Sequence, residues 1–362
     1  MRLNSIIAYF TLILAMASCT HGGNVAVKTN TPSEDSLGHA DTLTLALVGD
    51  IMLGTTYPHV TIAPNDARDI FAGPDSLLQA ADLACGNLEG VLADSGHARK
   101  TPGAKGSFSF LMPTRLSQRL VDAGFDFVSI ANNHVYDFSD AGRQSTMRTL
   151  DSVGISYSGN ETCRGVIKQV RGMKVGLCAW GHSLGTQHHT DTALVHHVID
   201  SLKSKCDVVV VSFHGGNEGS AARHLPDEEE WAWGENRGHL RVFTHLCIDW
   251  GADVVFGHGP HVVRAMEVYK GRFIAYSLGN FCTPSGMGVA GLTGYAPLVS
   301  IRVKSTGEMI DGHIHGFIQQ PHVGPLPDRK GIVVKEIASL SREDFPGNKL
   351  TIADDGKLVT NQ

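Results

Sequence analysis

Five apolar runs in this chain each stop at residues that can bind a cation. LALVGD ends in Asp50, LACGNLEG delivers Asn87 and Glu89, and FVSIANNHVYD carries Asn132, Asn133, His134 and Asp137. VVVVSFHGGNE supplies His214 and Glu218, and VVFGHGPH supplies His258 and His261. Carboxylate, amide and imidazole groups in one place make a mixed oxygen and nitrogen donor set, which suits Mn, Zn, Fe or Mg. Each run alone has a plainer explanation. A Gly-Asp after a strand is a common turn, and Asn-Asn ahead of a helix is a common cap. Taken jointly, buried donors of this kind need partners, and no neighbouring set of Lys or Arg supplies them. One bound metal would satisfy them all.

For these donors to meet, the runs must be strands whose carboxyl ends face a shared crevice, as in open α/β sheets. The apolar runs Leu43–Val48, Leu83–Cys85, Phe125–Ile130, Val208–Phe213 and Val254–Phe256 read as strands. Helical stretches fit around and between them, at Ser76–Ala81, Pro113–Ala123, Asp140–Val153, Thr192–Ser204 and Gly234–Trp250. Arg171-Gly172 and Lys270-Gly271, each flanked by apolar runs, predict two hairpins, and LVSIRV with IDGHIHGFIQ predicts further strand pairing. The glycines beside the donors, such as Gly49 and Gly257, allow sharp turns and close approach. One α/β domain over residues 42–345 is expected, with 346–362 as a tail.

The 362 residues are 42% hydrophobic and 18% charged, with net charge −6, which fits a globular chain with a sizeable core. No basic stripe is present to neutralise phosphates, so a nucleic-acid partner is not expected. At the N-terminus Met1-Arg2 precedes an apolar run, Ile6 to Ala17, and then ASCT. That pattern resembles a bacterial lipoprotein signal, with residues 1–18 removed and lipid carried on Cys19. Polar residues 19–41 then read as a flexible tether, and the mature chain would be exported and held at a membrane by its acyl chains. The other cysteines have irregular spacing, and Cys178 and Cys247, inside apolar runs, are expected to be free core thiols.

The ordered set GD, NLEG, NNH, HGG with its following Glu, GHGPH and YSLGNF spans about residues 43–285. It resembles the capsule synthesis (CapA) family of the poly-γ-glutamate type, whose domain is related to the calcineurin-like metallophosphoesterases. The resemblance implies a four-layer α/β/β/α sandwich with metals between the sheets. It makes Asp50 the first-motif aspartate and Asn133-His134 the Asn-His pair, one a ligand and the other a catalytic acid. His214 matches the lone fourth-motif histidine, and His258 and His261 match the terminal pair. The chain departs from that pattern in four places. Met52 stands where Asp-x-His has its histidine, and Glu89 or Asn87 must stand in for the second-motif aspartate. His258 and His261 are separated by two residues instead of one, and Gly215 replaces an aromatic.

Two functional readings follow. In the first, Asp50, Glu89, Asn133, His214, His258 and His261 hold one or two divalent ions in a hydrolase acting on a phosphoester or on an amide of an anionic polymer. His134 protonates the leaving group, and Glu218 orients a ligand or acts as base. In the second, the chain is a non-catalytic polymer-binding component of capsule assembly or export, working with other polymer-synthesis proteins. Asn132, Arg223, His224 and Arg237 are the candidate substrate-binding residues, joined by His239. Trp231 and Trp233 either cover the cleft or pack between layers. An inherited fold without its metal is the remaining alternative.

Overall fold

Val208–His214 opens with four valines, and β-branched residues buried on both faces favour a central parallel strand. A computed structural model describes residues 27–30, 41–101 and 107–361 of the chain. In it this strand lies between Met173–Trp180 and Val254–His258, parallel to both. The 7-stranded sheet continues through Arg272–Ala275 to Met266–Tyr269 on one side, and through Gly165–Val170 to Val27–Asn30 on the other. Both predicted hairpins form. Arg171 and Gly172, at φ 50° and 84°, and Lys270 and Gly271, at φ 49° and 77°, have the left-handed pairs that tight hairpin turns need.

The second sheet is built on Thr42–Ile51, with Leu83–Leu88 parallel on one side and Leu298–Lys304 antiparallel on the other. Phe127–Ser129 and Ser156–Ser158 extend one edge in parallel, and Met309–His315 extends the other. One hydrophobic core joins the two sheets. Thr192–Lys203 and Leu240–Asp249 pack on the first sheet, while Asp75–Ala80, Ser117–Ala123 and Ser139–Val153 cover the second. The result is the expected α/β/β/α sandwich.

Three segments depart from the sequence expectation. The helix expected from Gly234 starts only at Leu240, because Glu230–Ala232 and Glu235–Gly238 form a hairpin whose glycines, Gly234 and Gly238, have φ 81° and 94°. The tail is not outside the fold: Leu350–Ile352 and Lys357–Thr360 add strands to the second sheet, with Leu350 and Leu358 buried. Ahead of them lies an amphipathic helix, Ile332–Asp344. Finally, Val27–Asn30, inside the expected tether, pairs in parallel with Gly165–Val170. The signal segment 1–18, Cys19 and the rest of the tether apart from Asp41 lie outside the described residues. Among those described, no helix is long and apolar enough to cross a membrane. Cys178 and Cys247 are buried and free, as expected.

Candidate metal centre

Register brings the donors together. Asp50 pairs with Asn87 on one side and Asn280 on the other, and His214 lies directly beside His258. The strand ends are drawn tight by small residues. A Cβ on Gly49 would stand 1.9 Å from the Gly279 carbonyl oxygen, and one on Gly257 would stand 2.3 Å from Cζ of Phe213. Only glycine permits these approaches, and the Asp50 and His258 side chains follow directly from them.

The inner group is Asp50, Glu89, His214 and His258, all fully buried. Donor atoms of Asp50, His214 and His258 lie within 4.8 Å of one another. His214 Nδ1 is 3.0 Å from His258 Nδ1 and 3.5 Å from Glu89 Oε2, and His258 Nδ1 is 3.8 Å from Asp50 Oδ1. Ligand atoms about 2.1 Å from a common ion stand roughly 3.0–3.4 Å apart, so the His214–His258 separation fits a shared cation and the other two exceed it by only a few tenths of an ångström. The tautomers agree. His258 Nε2 is 2.9 Å from Ser212 Oγ, and giving its proton there leaves the Nδ1 lone pair facing inward. Burial, then the neighbouring imidazole of His258, moves His214 well below the usual histidine range. Burial takes His258 to about 4 although Asp50 opposes it. Both rings are therefore neutral at pH 7, the form that can bind a cation. Burial and the Asp50 charge push Glu89 well above the carboxylate range, the signature of two acids sharing a dry site. Glu89 Oε1 and Asn133 Oδ1 are buried with no hydrogen-bond partner among the described residues. Such orphaned atoms are costly, and a divalent ion accommodates the acids and the acceptors together.

Around this group the predicted residues divide by role. Asn87 donates through Nδ2 to Asp50 Oδ1 and Glu89 Oε2, so it holds the two carboxylates and does not replace either as a ligand. Asn132 donates to Asn87 Oδ1 at 3.0 Å and accepts from the His134 amide. It is fully buried, and positions the site without reaching substrate. His261 is 3.0 Å from both Asp50 Oδ2 and Asn280 Oδ1. Both are acceptors, because Asn280 spends its amide nitrogen on the Thr293 carbonyl. His261 Nδ1 must therefore donate, which makes it an orienting partner of Asp50 and leaves only Nε2 to face an ion or substrate. Burial opposes charge on His261, but the Asp50 hydrogen bond and the charges of Asp50, Glu89 and Glu218 lift it to about 9.

His134 Nδ1 is 2.8 Å from Asp137 Oδ2, and its Nε2 is 3.8 Å from Glu89 Oε1. Burial lowers its pKa, despite Asp137, so the neutral ring is favoured at pH 7. Burial opposes ionisation of Asp137, yet His134 and then Lys100, at 2.8 Å, keep it below the usual range. Glu218 gives Oε1 to Arg237 at 2.8 Å and walls the same cavity as His134 and His261. Its carboxylate is already neutralised by that pair, so a base role has no support from the geometry.

Arg223 and His224 are engaged elsewhere. Arg223 pairs with Glu336 at 2.8 Å and His224 with Asp344 at 2.9 Å, both on the helix Ile332–Asp344. His239 is 3.7 Å from Asp227. Residues that sequence reasoning passed over include Ser212, which sets the His258 tautomer, and Lys100, which supports Asp137. Ser212 alternates with apolar residues in a buried strand, and that one misplaced hydroxyl was the available signal. Lys100 carried none.

The model of the bacterial capsule synthesis protein PGA_cap matches residues 44–285. The chain belongs to the bacterial capsule synthesis protein family. Relatives include the PGA biosynthesis protein CapA of Bacillus subtilis (strain 168), 28% identical over 262 residues, and the capsule biosynthesis protein CapA of Bacillus anthracis, 28% identical over 267 residues. These alignments cover 68% and 67% of this chain, which spans 64% and 60% of the two relatives. Among solved structures, a 5'-nucleotidase precursor from Thermus thermophilus overlaps with TM-score 0.42 and 13% identity, covering 83% of this chain and 59% of that one. A purple acid phosphatase from yellow lupin (Lupinus luteus) seeds gives TM-score 0.42 and 9% identity, covering 82% and 56%. Overlaps this partial do not bear on the site. Within the capsule synthesis family, the inner acids and imidazoles of this chain form a site suited to a divalent ion.

Proposed function

We propose that this protein is a metal-dependent hydrolase of capsule or poly-γ-glutamate synthesis, cutting a phosphoester or an amide bond of a polyanionic polymer. One observation carries the reading. The buried group of Asp50, Glu89, His214 and His258 sits directly behind His134 and His261, which line a cavity of about 460 Å³. Asp50, Glu89, His214 and His258, with Asn133 at the cavity wall, would hold the ion. When bound it would supply Lewis-acid charge stabilisation and activation of water. Asp137 fixes the His134 tautomer, so Nε2 is left to take up a proton and return it to the leaving group. His261, anchored through Nδ1 to Asp50, can donate Nε2–H to charge developing in the cavity.

Family membership supports the polymer context, and the names of the two Bacillus relatives agree with it. The N-terminal pattern supports export and anchoring through lipid on Cys19, in the cell envelope and alongside other polymer-synthesis proteins. Incorporation of labelled palmitate, lost in Cys19→Ala, checks that part.

A second reading, a polymer-binding assembly or export component without turnover, is favoured by Met52. Its side chain is buried and Sδ accepts from the Gly54 amide at 3.3 Å, so the inner set lacks one imidazole. The deciding experiment incubates purified protein and Asp50→Asn with Mn, Zn, Fe or Mg on bis(p-nitrophenyl) phosphate and on poly-γ-glutamate. Metal-dependent turnover by wild type alone is expected. Polymer binding without turnover of either substrate would replace this reading with the second, and failure to take up any of the ions would end the hydrolase reading.

A further inference from the structure

The cavity in front of the centre does not end at His134. Lys100, Asn133 and Trp233 line both it and a second cavity of about 330 Å³, so the two form one groove leading away from the inner group. Three cations wall the second cavity, against the carboxylates of Asp137 and Glu235. Lys100 is spent on Asp137 at 2.8 Å, and Arg237 on Glu218 at 2.8 Å and Glu235 at 3.3 Å. Arg99 is different. Among the described residues its guanidinium has no carboxylate partner, and it lies over the Tyr136 ring at 4.7 Å from the centroid. A guanidinium that rests over an aromatic face has its donors free for an anion.

Trp233 provides an independent observation. It occupies the first position of the two-residue turn between Glu230–Ala232 and Glu235–Gly238, at φ 54°. That position favours Asn, Asp or Gly, and a bulky aromatic there is a genuine outlier. The side chain is also 68% exposed, with Nε1 3.4 Å from Glu218 Oε2. Backbone strain together with an exposed indole, on the divide between two cavities, points to a ligand that the ring covers.

We propose that Arg99 and Trp233 form a subsite for an anionic chain, one group beyond the metal centre. Arg99 takes a carboxylate or phosphate of the chain, and Trp233 covers the aliphatic link that leads to the scissile bond. The inference rests on the polymer reading above. It requires substrate to thread both cavities, so a small ester would use only the first.

Titration calorimetry with a γ-linked glutamate hexamer and a glycerol phosphate hexamer tests it, using wild type, R99Q, W233N and R223Q, each with Mn and after chelation. R99Q and W233N should each weaken binding of one oligomer about tenfold in both metal states, the loss of one charge-assisted contact or one stacked ring. R99Q should also flatten the salt dependence, and R223Q should match wild type. The responding oligomer distinguishes carboxylate from phosphate chemistry. W233N relieves the turn, so it should fold at least as well as wild type. The subsite is overturned if both variants bind both oligomers like wild type, or if neither oligomer binds wild type. Arg99-dependent binding with no cleavage would sink only the hydrolase reading, and cleavage of the hexamers unchanged in R99Q would sink only the subsite.

Discussion

Glu89→Gln should change the sign of its effect on stability with metal. In the chelated protein Glu89 is a liability: fully buried, with Oε1 unpartnered and Oε2 sharing the Asn87 amide with the like charge of Asp50. Gln is nearly isosteric and spares the fold the cost of desolvating or protonating this carboxyl beside Asp50, so the chelated variant should be at least as stable as wild type. With metal the order reverses. An ion at 100 times its Kd stabilises the folded state by about 2.7 kcal/mol, which for a domain this large is roughly 5 °C in Tm. If loss of the carboxylate weakens affinity about 100-fold, the same ion concentration only matches Kd, and the gain falls to about 0.4 kcal/mol, or roughly 1 °C. Thermal unfolding of both proteins, chelated and with each of Mn, Zn, Fe and Mg, reads the crossing directly and does not depend on activity. The reasoning fails if wild type shows no shift with any of the four ions, or if Glu89→Gln keeps the whole shift.

Three further outcomes are expected. His134→Gln should lower turnover about 10²- to 10⁴-fold while metal content by elemental analysis stays at the wild-type value, because the ring lies outside the inner donor set. Gly257→Ala would drive a Cβ to 2.3 Å from Phe213 and 2.5 Å from the Tyr276 carbonyl oxygen. It should cost about 1–3 kcal/mol in denaturant unfolding and lower metal occupancy by displacing His258. Burial, with His182 as the next cause, lowers His189 to about 3. A depressed histidine favours the fold fully above its unfolded pKa of about 6.5 and loses that advantage as pH falls towards its folded value. At pH 5 the loss is about 2 kcal/mol, so His189→Gln should lose less stability than wild type between pH 7 and pH 5, and parallel curves would refute the assignment.

The sandwich was largely legible because its signals are local. Arg171-Gly172 and Lys270-Gly271 set their hairpins by backbone conformation alone, and the valines of 208–211 could hardly be anything but a buried strand. The helix expected from Gly234 was misread for a local reason too. Leu240, Phe243 and Cys247 do have helical spacing, but Gly234 and Gly238 at positive φ turn the chain back before Leu240. The C-terminal strands escaped notice because LTI and KLVT are short runs in polar surroundings. They become core only by pairing with each other and with Met309–His315.

The site was legible in its membership more than in its roles. That strand ends converge follows from topology, and Asp50, Glu89, His214 and His258 do meet. Which nitrogen faces inward does not follow, because it is decided by partners distant in sequence: Ser212 for His258, and Asn280 with Asp50 for His261. Charge was the least legible property. Arg223 looked available because it follows the His214 loop, but the fold hands it Glu336, at a sequence separation of 113 residues. Arg99 carried no signal in the sequence, and the fold leaves it on Tyr136, facing a cavity. A cation binds substrate only when no carboxylate has claimed it first. That contest is settled by tertiary contacts, so the anion-binding wall of this site has to be sought among the arginines that folding leaves unpaired.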